Sequence, residues 1–266
     1  TNILLDRSVK VLDTEGTLHA LRKGFKATGA GAGGFELVQF APSHGFNEEI
    51  KERYFKNRLR VMRQVHYSTS NRNSIDLVLF VNGIPVATIE LKTDFTQGID
   101  DAKNQYKTDR NPRDPETKKE EPLLQFKRGA LVHFAVSTSE VWMTTKLNGM
   151  STFFLPFNKG FDGGKGNPPN PSGYQTAYLW EEIFQKDRWL KILESFVQLE
   201  VKTTSDKTGD KKTKETLIFP RYHQLDAVTK LINAVKNEGA GKNYLFQHSA
   251  GSGKSNTIGW SAHQLS

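Results

Sequence analysis

The sequence predicts an α/β (α+β) layered fold, a mixed β-sheet flanked by helices, and three observations predict it. Two apolar runs, Ser74–Val81 and Pro85–Lys92, flank Asn82-Gly83, the dipeptide that most favours a tight hairpin turn. Two further runs, Gly129–Ser137 and Glu140–Thr145, have the length and composition of strands. Around them lie stretches whose apolar residues recur every three or four positions, as on one face of a helix. Strands mixed with helices bury their apolar faces as layers around a core. With 266 residues, 36% hydrophobic and 11% aromatic, the chain can build one large or two ordinary domains.

Composition narrows the function. Lys and Arg number 37 against 29 Asp and Glu, a net charge of +8 that favours a polyanionic partner such as nucleic acid. There is no cysteine, which excludes disulfide frameworks, thiolate zinc sites and cysteine nucleophiles. No apolar run approaches the roughly 20 residues that span a bilayer, and Thr1–Lys10 lacks the pattern of a signal peptide. A soluble intracellular protein with no membrane partner is expected. The seven histidines show no metal-ligand spacing and no Gly-x-Ser-x-Gly elbow occurs, which argues against a serine or histidine hydrolase.

In chain order, Ala27–Gly34 is too rich in glycine to be regular structure. Phe46–Tyr67 reads as an amphipathic helix: Asn47 caps it, Glu48 and Glu49 suit its positive N-terminal dipole, and Phe55, Leu59 and Met62 recur at helical spacing. On such a helix Arg53, Lys56, Arg60 and Arg63 share a face, a stripe that would either sit on DNA phosphates or simply be solvated. The hairpin follows, then a helix over Gln97–Thr108, the two further strands, and a Gly- and Pro-rich ordered loop at Asn158–Gly173. Tyr178–Val201 is predicted as one or two helices. Lys202–Glu215, almost all charged or hydroxylated, is the natural domain boundary.

Charge interrupts the hairpin at Asp76, Glu90 and Lys92, and buried charge is costly unless it is paired or metal-bound. Glu90 and Lys92, two residues apart, project from the same strand face. A plain two-residue turn pairs 81 with 84 and 76 with 89, which puts Asp76 on the opposite face from Glu90. An odd-length connection or a bulge is therefore predicted, since either brings the three together. Asp76 and Glu90 would then hold Mg²⁺, with the Leu91 carbonyl as a further ligand. Lys92 would orient or deprotonate a water, or stabilise charge on a phosphodiester under in-line attack. The alternative is an ordinary Glu/Lys pair on a solvent-facing strand beside an unrelated aspartate.

The segment SIDLVLFVNGIPVATIELK resembles the core of PD-(D/E)xK nucleases, with Asp76, Glu90 and Lys92 at the acidic, acidic and lysine positions. The longer stretch from Tyr54 through NRLRVMRQVHY to NQYKTDRNP resembles the N-terminal nuclease domain of the restriction (motor) subunit of type I restriction-modification enzymes. That family and its relatives often carry Gln-x-x-x-Tyr on the helix after the lysine. With Tyr106 as the tyrosine, the glutamine place is held by Ala102, a departure from the pattern. The resemblance leaves Gln105 as the substitute contact to DNA or to Lys92.

Beyond the boundary, the stretch from Pro220 opens an amphipathic helix, and Asn243–Gln247 reads as a short strand leading into HSAGSGKSNTIGW. Strand, loop, helix is the order a phosphate loop requires. Backbone N–H groups around Gly251, Gly253 and Lys254 would cradle a β-phosphate, the Lys254 ammonium would neutralise β/γ oxygens and Ser255 would bind Mg²⁺. His248 stands where the motif has its first glycine. The stretch FPRYHQ resembles the adenine-reading glutamine motif of superfamily 2 helicases and type I motor subunits, with Gln224 as the glutamine and Arg221 or Tyr222 beside the base. Twelve residues follow Lys254, so an incomplete ATPase is expected, the start of a helicase-like domain in the N-terminal piece of a larger protein.

The resemblance thus implies an endonuclease domain over 1–201 with its core about 46–145, a charged linker or loop at 202–216, and the first elements of a P-loop helicase-like domain at 217–266. It implies a cytoplasmic bacterial or archaeal enzyme that cuts double-stranded DNA using Mg²⁺ and ATP. Its partners would be the methyltransferase and specificity subunits. Two other functions fit the residues. One is a nuclease-helicase of repair or phage defence without a methylation partner, and the other is a degenerate, non-catalytic DNA-binding or docking platform.

Overall fold

A computed structural model describes residues 2–26, 33–42, 47–205 and 211–266. The elements in order are α1 (Asn2–Thr14), α2 (Thr17–Lys23), β1 (Phe25–Lys26), β2 (Gly34–Phe35), α3 (Glu48–Lys56), β3 (Leu59–His66), β4 (Ser74–Val81) and β5 (Ile84–Leu91). Then come α4 (Ile99–Thr108), β6 (Val132–Val136), β7 (Val141–Thr144), β8 (Leu155–Pro156), a π-helical turn at Leu179–Ile183 and α5 (Lys186–Ser195). The last are β9 (Gln198–Ser205), β10 (Lys211–Ile218), α6 (Tyr222–Glu238) and α7 (Lys254–Leu265). No helix among the described residues is long and apolar enough to cross a membrane.

Six strands form one mixed sheet in the order β3-β4-β5-β6-β7-β8. Only β5 and β6 run parallel, and α4 lies in the crossover between them, as parallel neighbours require. Through Ala102 and Tyr106, α4 packs with Val78, Leu124 and Ala135 in one apolar cluster. A larger cluster joins Ile89, Phe134 and Val136 of the sheet to Trp189, Leu193, Leu225, Val228 and Trp260 of α5, α6 and α7. Phe134 is its hub, with the rings of Phe157, Phe184 and Phe219 at 5.5, 5.8 and 5.9 Å. Truncating such a ring to alanine costs about 3–5 kcal/mol.

The β4–β5 hairpin turns on two residues, with Val81 opposite Ile84 and positive φ at Asn82 (49°) and Gly83 (87°), as a type I′ turn demands. The predicted parity change comes from a bulge: Phe80 pairs with Pro85 but Leu79 pairs with Ala87, so Val86 is the extra residue. Beyond it Leu77 faces Ile89, and the same register sets Asp76 opposite Glu90.

Sequence periodicity misleads at four places. The helix expected over 46–67 ends at Lys56, and Leu59–His66 is the edge strand β3. Asn57 turns the chain: its buried amide donates to Tyr54 and Gln39 carbonyls and accepts from Gln39 and Asn82. Pairing with β4 then fixes Leu59–His66 as extended chain. The stripe of Arg53, Lys56, Arg60 and Arg63 therefore does not exist. Arg53 and Lys56 pair with Glu49 and Glu52 on α3, while Arg60 and Arg63, three apart on a strand, point to opposite faces.

The helical reading of Tyr178–Val201 holds only to Ser195, since Gln198 onward is β9. The charged segment expected as a linker or loop at 202–216 lies within the antiparallel β9–β10 ribbon, apart from residues 206–210, which lie outside the described residues. Its threonines, Thr203, Thr204, Thr213 and Thr216, are β-formers that the charge content conceals. The strand expected at Asn243–Gln247 is absent: no described strand lies beside it to satisfy its backbone, and Leu245 is 90% exposed. Of Ala27–Gly34, residues 27–32 lie outside the described residues, and Gly34 opens β2.

Candidate active site

Where β4 meets β5, Glu90 is fully buried. Its Oε1 accepts from Arg110 Nε at 2.6 Å, and its Oε2, also buried, has no hydrogen-bond partner. Burial pushes the Glu90 carboxyl up to about 7, with Arg110 opposing that rise and the Asp76 carboxylate adding to it. Burial alone would lower the pKa of Arg110, but the charge and hydrogen bond of Glu90 outweigh it and leave it raised. Asp76 is half-buried, its Oδ2 accepting from Leu91 N–H at 2.8 Å and its Oδ1 from Gln64 Nε2 at 3.0 Å. Gln64, opposite Asp76 in the β3–β4 register and at φ 49°, is itself fixed by Ser74 Oγ at 2.9 Å.

Lys92 follows the last residue of β5, two positions from Glu90 and so on the same face. Its backbone N–H donates to Val136, and among the described residues its ammonium has no hydrogen-bond or ion-pair partner. An uncommitted ammonium on the strand face that carries Glu90 can hold a water or a phosphate oxygen.

The helix after the lysine divides in role. Tyr106 is fully buried, and its hydroxyl lies 2.8 Å from Thr88 Oγ1, which in turn lies 2.7 Å from His133 Nδ1. His133 is kept neutral by burial, which lowers its pKa to about 3. Tyr106 therefore locks α4 onto the sheet and is bonded to neither Glu90 nor Lys92. Gln105 presents a buried Oε1 with no donor.

The carboxylates suit a divalent cation. Glu90 Oε2 is an orphaned acceptor, and each Asp76 oxygen keeps a lone pair beyond its one bond. No group of three or more His, Cys, Asp or Glu residues among the described residues could hold a metal. A magnesium ion bound by two carboxylates and waters matches that donor set better than an all-protein cage would.

In the loop expected to cradle phosphate, Gly251 and Gly253 have φ of 71° and 84°, and α7 begins at Lys254. The Lys254 ammonium donates to the carbonyls of His248 and Ser249 at 3.1 and 3.3 Å, while Ser255 is exposed on the first turn. Buried atoms without partners gather here: His248 Nδ1, Ser252 Oγ and Thr257 Oγ1. Gln224 is 3% exposed and its amide serves the protein itself. Its Nε2 donates to Ser252 and Gly253 carbonyls at 3.2 and 2.9 Å, and its Oε1 accepts from Arg221 N–H at 2.9 Å. The structure thus places Gln224 as a brace between α6 and the loop, where a base reader was expected. Arg221 and His223 line a cleft of about 660 Å³ between this loop and Asn158–Lys165, with Lys159 on its far wall.

Arg110 and Gln64 were not legible as site residues. Each reaches its carboxylate across the fold, from 20 and 12 positions away, with no local motif to mark it.

No curated protein matches the chain. Residues 22–152, a stretch that contains Asp76, Glu90, Lys92 and Arg110 and ends before the Gly251–Lys254 loop, match the family model of the type I restriction enzyme R protein N terminus.

Proposed function

We propose that this chain is the nuclease-bearing N-terminal part of the restriction subunit of a type I restriction-modification enzyme and that Asp76, Glu90 and Lys92 are its catalytic residues. The observation that carries the reading is the unpartnered, fully buried Glu90 Oε2 set opposite Asp76, with Lys92 at the end of the same strand. Asp76 and Glu90 would hold Mg²⁺, which supplies Lewis-acid polarisation of the scissile phosphate when bound. Arg110 holds Glu90 by one oxygen and leaves the other for the cation. Lys92 positions the attacking water and offsets charge developing on the phosphate.

The substrate is double-stranded DNA, and the methyltransferase and specificity subunits of the complex supply site recognition. Gly251, Gly253, Lys254 and Ser255 bind ATP in the complete subunit. The unpartnered polar atoms and the basic cleft beside the loop support that role.

Magnesium titration calorimetry, followed by cleavage of duplex DNA, tests the nuclease centre. Wild type binds Mg²⁺ and Glu90→Gln does not. Equal binding by both would remove Glu90 from the site. A second reading, a non-catalytic docking platform, is favoured by the Arg110–Glu90 pair and by the two hydrogen bonds already made by Asp76. It predicts no divalent binding by wild type.

A further inference from the structure

The β9–β10 ribbon is a segment to which neither the nuclease centre nor the phosphate loop gives a role. Its register sets Lys202 opposite Lys214, Thr204 opposite Lys212 and Glu200 opposite Thr216. Side chains alternate along a strand, so Lys202, Lys212 and Lys214 share one face. The only carboxylate among these six residues is Glu200, 3.0 Å from Lys202. Directly opposed like charges destabilise a strand pair, so Lys202 and Lys214 stand against the stability of the ribbon itself.

Burial points the same way. Lys202–Ser205 and Lys211–Lys214 are exposed at every position and carry no apolar side chain beyond the lysine stems. An isolated two-stranded ribbon is marginal in water, and here the base is fixed to the body. Lys127 Nζ bonds both oxygens of Glu215 at 2.9 and 3.1 Å, Thr145 Oγ1 donates to the Leu217 carbonyl at 2.7 Å, and Leu217 is buried. The described outer part of the ribbon, Lys202–Ser205 and Lys211–Lys214, is thus an anchored, cationic, hydroxyl-bearing arm, with Val201 at its base the one exposed apolar side chain among the described ribbon residues.

We propose that this arm contacts the phosphates of duplex DNA through Lys202, Lys212 and Lys214, assisted by the Thr204 hydroxyl. The identity of the polyanion as DNA rests on the nuclease reading above. The geometry is complementary: lysines two residues apart on one strand are spaced about 6.8 Å, roughly every second phosphate of one DNA strand measured along the axis. A two-stranded ribbon also fits the width of the major groove. Contacts of this kind set affinity and orientation and carry no sequence information.

The test is fluorescence anisotropy of the full 266-residue chain on a short duplex of arbitrary sequence, without divalent metal, over a range of salt. The variants are Lys202→Gln/Lys212→Gln/Lys214→Gln, the same three changed to Arg, and an off-ribbon control, Lys10→Gln/Lys119→Gln/Lys242→Gln. The ribbon glutamine variant is expected to lose about tenfold or more in affinity and about 2–3 from the log–log salt slope, roughly 0.9 per lost phosphate contact. The Arg variant keeps wild-type binding, and the off-ribbon control loses less than the ribbon variant.

Wild-type affinity and slope in the ribbon glutamine variant would overturn the arm alone, as would a loss no larger than that of the control. Loss of binding to a polyglutamate probe with DNA binding unchanged would overturn it in favour of an acidic protein partner. Failure of the wild-type chain to bind duplex at any salt would overturn both the arm and the reading on which it rests.

Discussion

Arg110 and Glu90 form a buried ion pair that uses one carboxylate oxygen: Nε meets Oε1 at 2.6 Å, and Oε2 has no hydrogen-bond partner. Removing one partner of such a pair strands the other charge, typically at about 3–5 kcal/mol. Arg110→Ala is expected to lose that much stability in urea without metal, and Glu90→Gln in the same chain should recover most of it. An Arg110→Ala variant within about 1 kcal/mol of wild type would show that the pair is not holding the site.

The pH dependence of stability follows from the same carboxyl. Folded, Glu90 titrates at about 7 against an ordinary 4.5, so it binds its proton more tightly in the folded state. Its contribution is complete below about pH 4.5 and is lost as pH rises through 7, by up to about 3 kcal/mol. His133 acts in the opposite sense, because burial lowers it to about 3 from 6.5 and its contribution is lost as pH falls below 6.5. The informative quantity is therefore the difference between wild type and Glu90→Gln. Urea midpoints at pH 5 and pH 8 should show wild type losing ground to the variant on going to pH 8, and added Mg²⁺ should restore it. Parallel profiles for the two chains would rule this out.

Tyr106 supports the site from behind. Tyr106→Phe removes one buried hydrogen bond to Thr88 and is expected to cost about 0.5–1.5 kcal/mol. Magnesium affinity should stay at the wild-type value. A large drop in that affinity would mean that the hydroxyl reaches the cation site.

Gln224 and Gly253 make a separate prediction. A Cβ on Gly253 would sit 2.4 Å from Gln224 Nε2, and its φ of 84° already disfavours any side chain. Gly253→Ala and Gln224→Ala should both loosen the loop and weaken ATP binding in the complete subunit. Because the Gln224 amide is bonded to the loop, Gln224→Ala should leave the preference for ATP over GTP unchanged. Loss of that preference would restore the base-reading role.

How much of this was legible depends on whether the governing contacts are local. The β4–β5 hairpin follows from Asn82-Gly83, but that two-residue turn alone gives the wrong parity; the convergence of Asp76 with Glu90 was legible only as a requirement that their charges meet, and the bulge at Val86 supplies it. The helix α4 and strands β6 and β7 lie within a few residues of where periodicity puts them. The failure at Leu59–His66 has a distant cause: Asn57 is turned by partners on Gln39 and Asn82, and helical spacing of Phe55, Leu59 and Met62 is a coincidence. Arg110 went unseen for the same reason, since nothing near it names Glu90. The ribbon is hidden by its own composition, in which charge masks the β-propensity of its threonines.

The most direct test of the nuclease centre is Mg²⁺- and ATP-dependent cleavage of long circular duplex DNA by the complete subunit with its partners, comparing wild type with Lys92→Ala and Lys254→Ala. Both substitutions should abolish cutting, while only Lys254→Ala should stop ATP hydrolysis. If Lys92→Ala cuts as well as wild type, the β4–β5 hairpin is structural and the nuclease lies elsewhere.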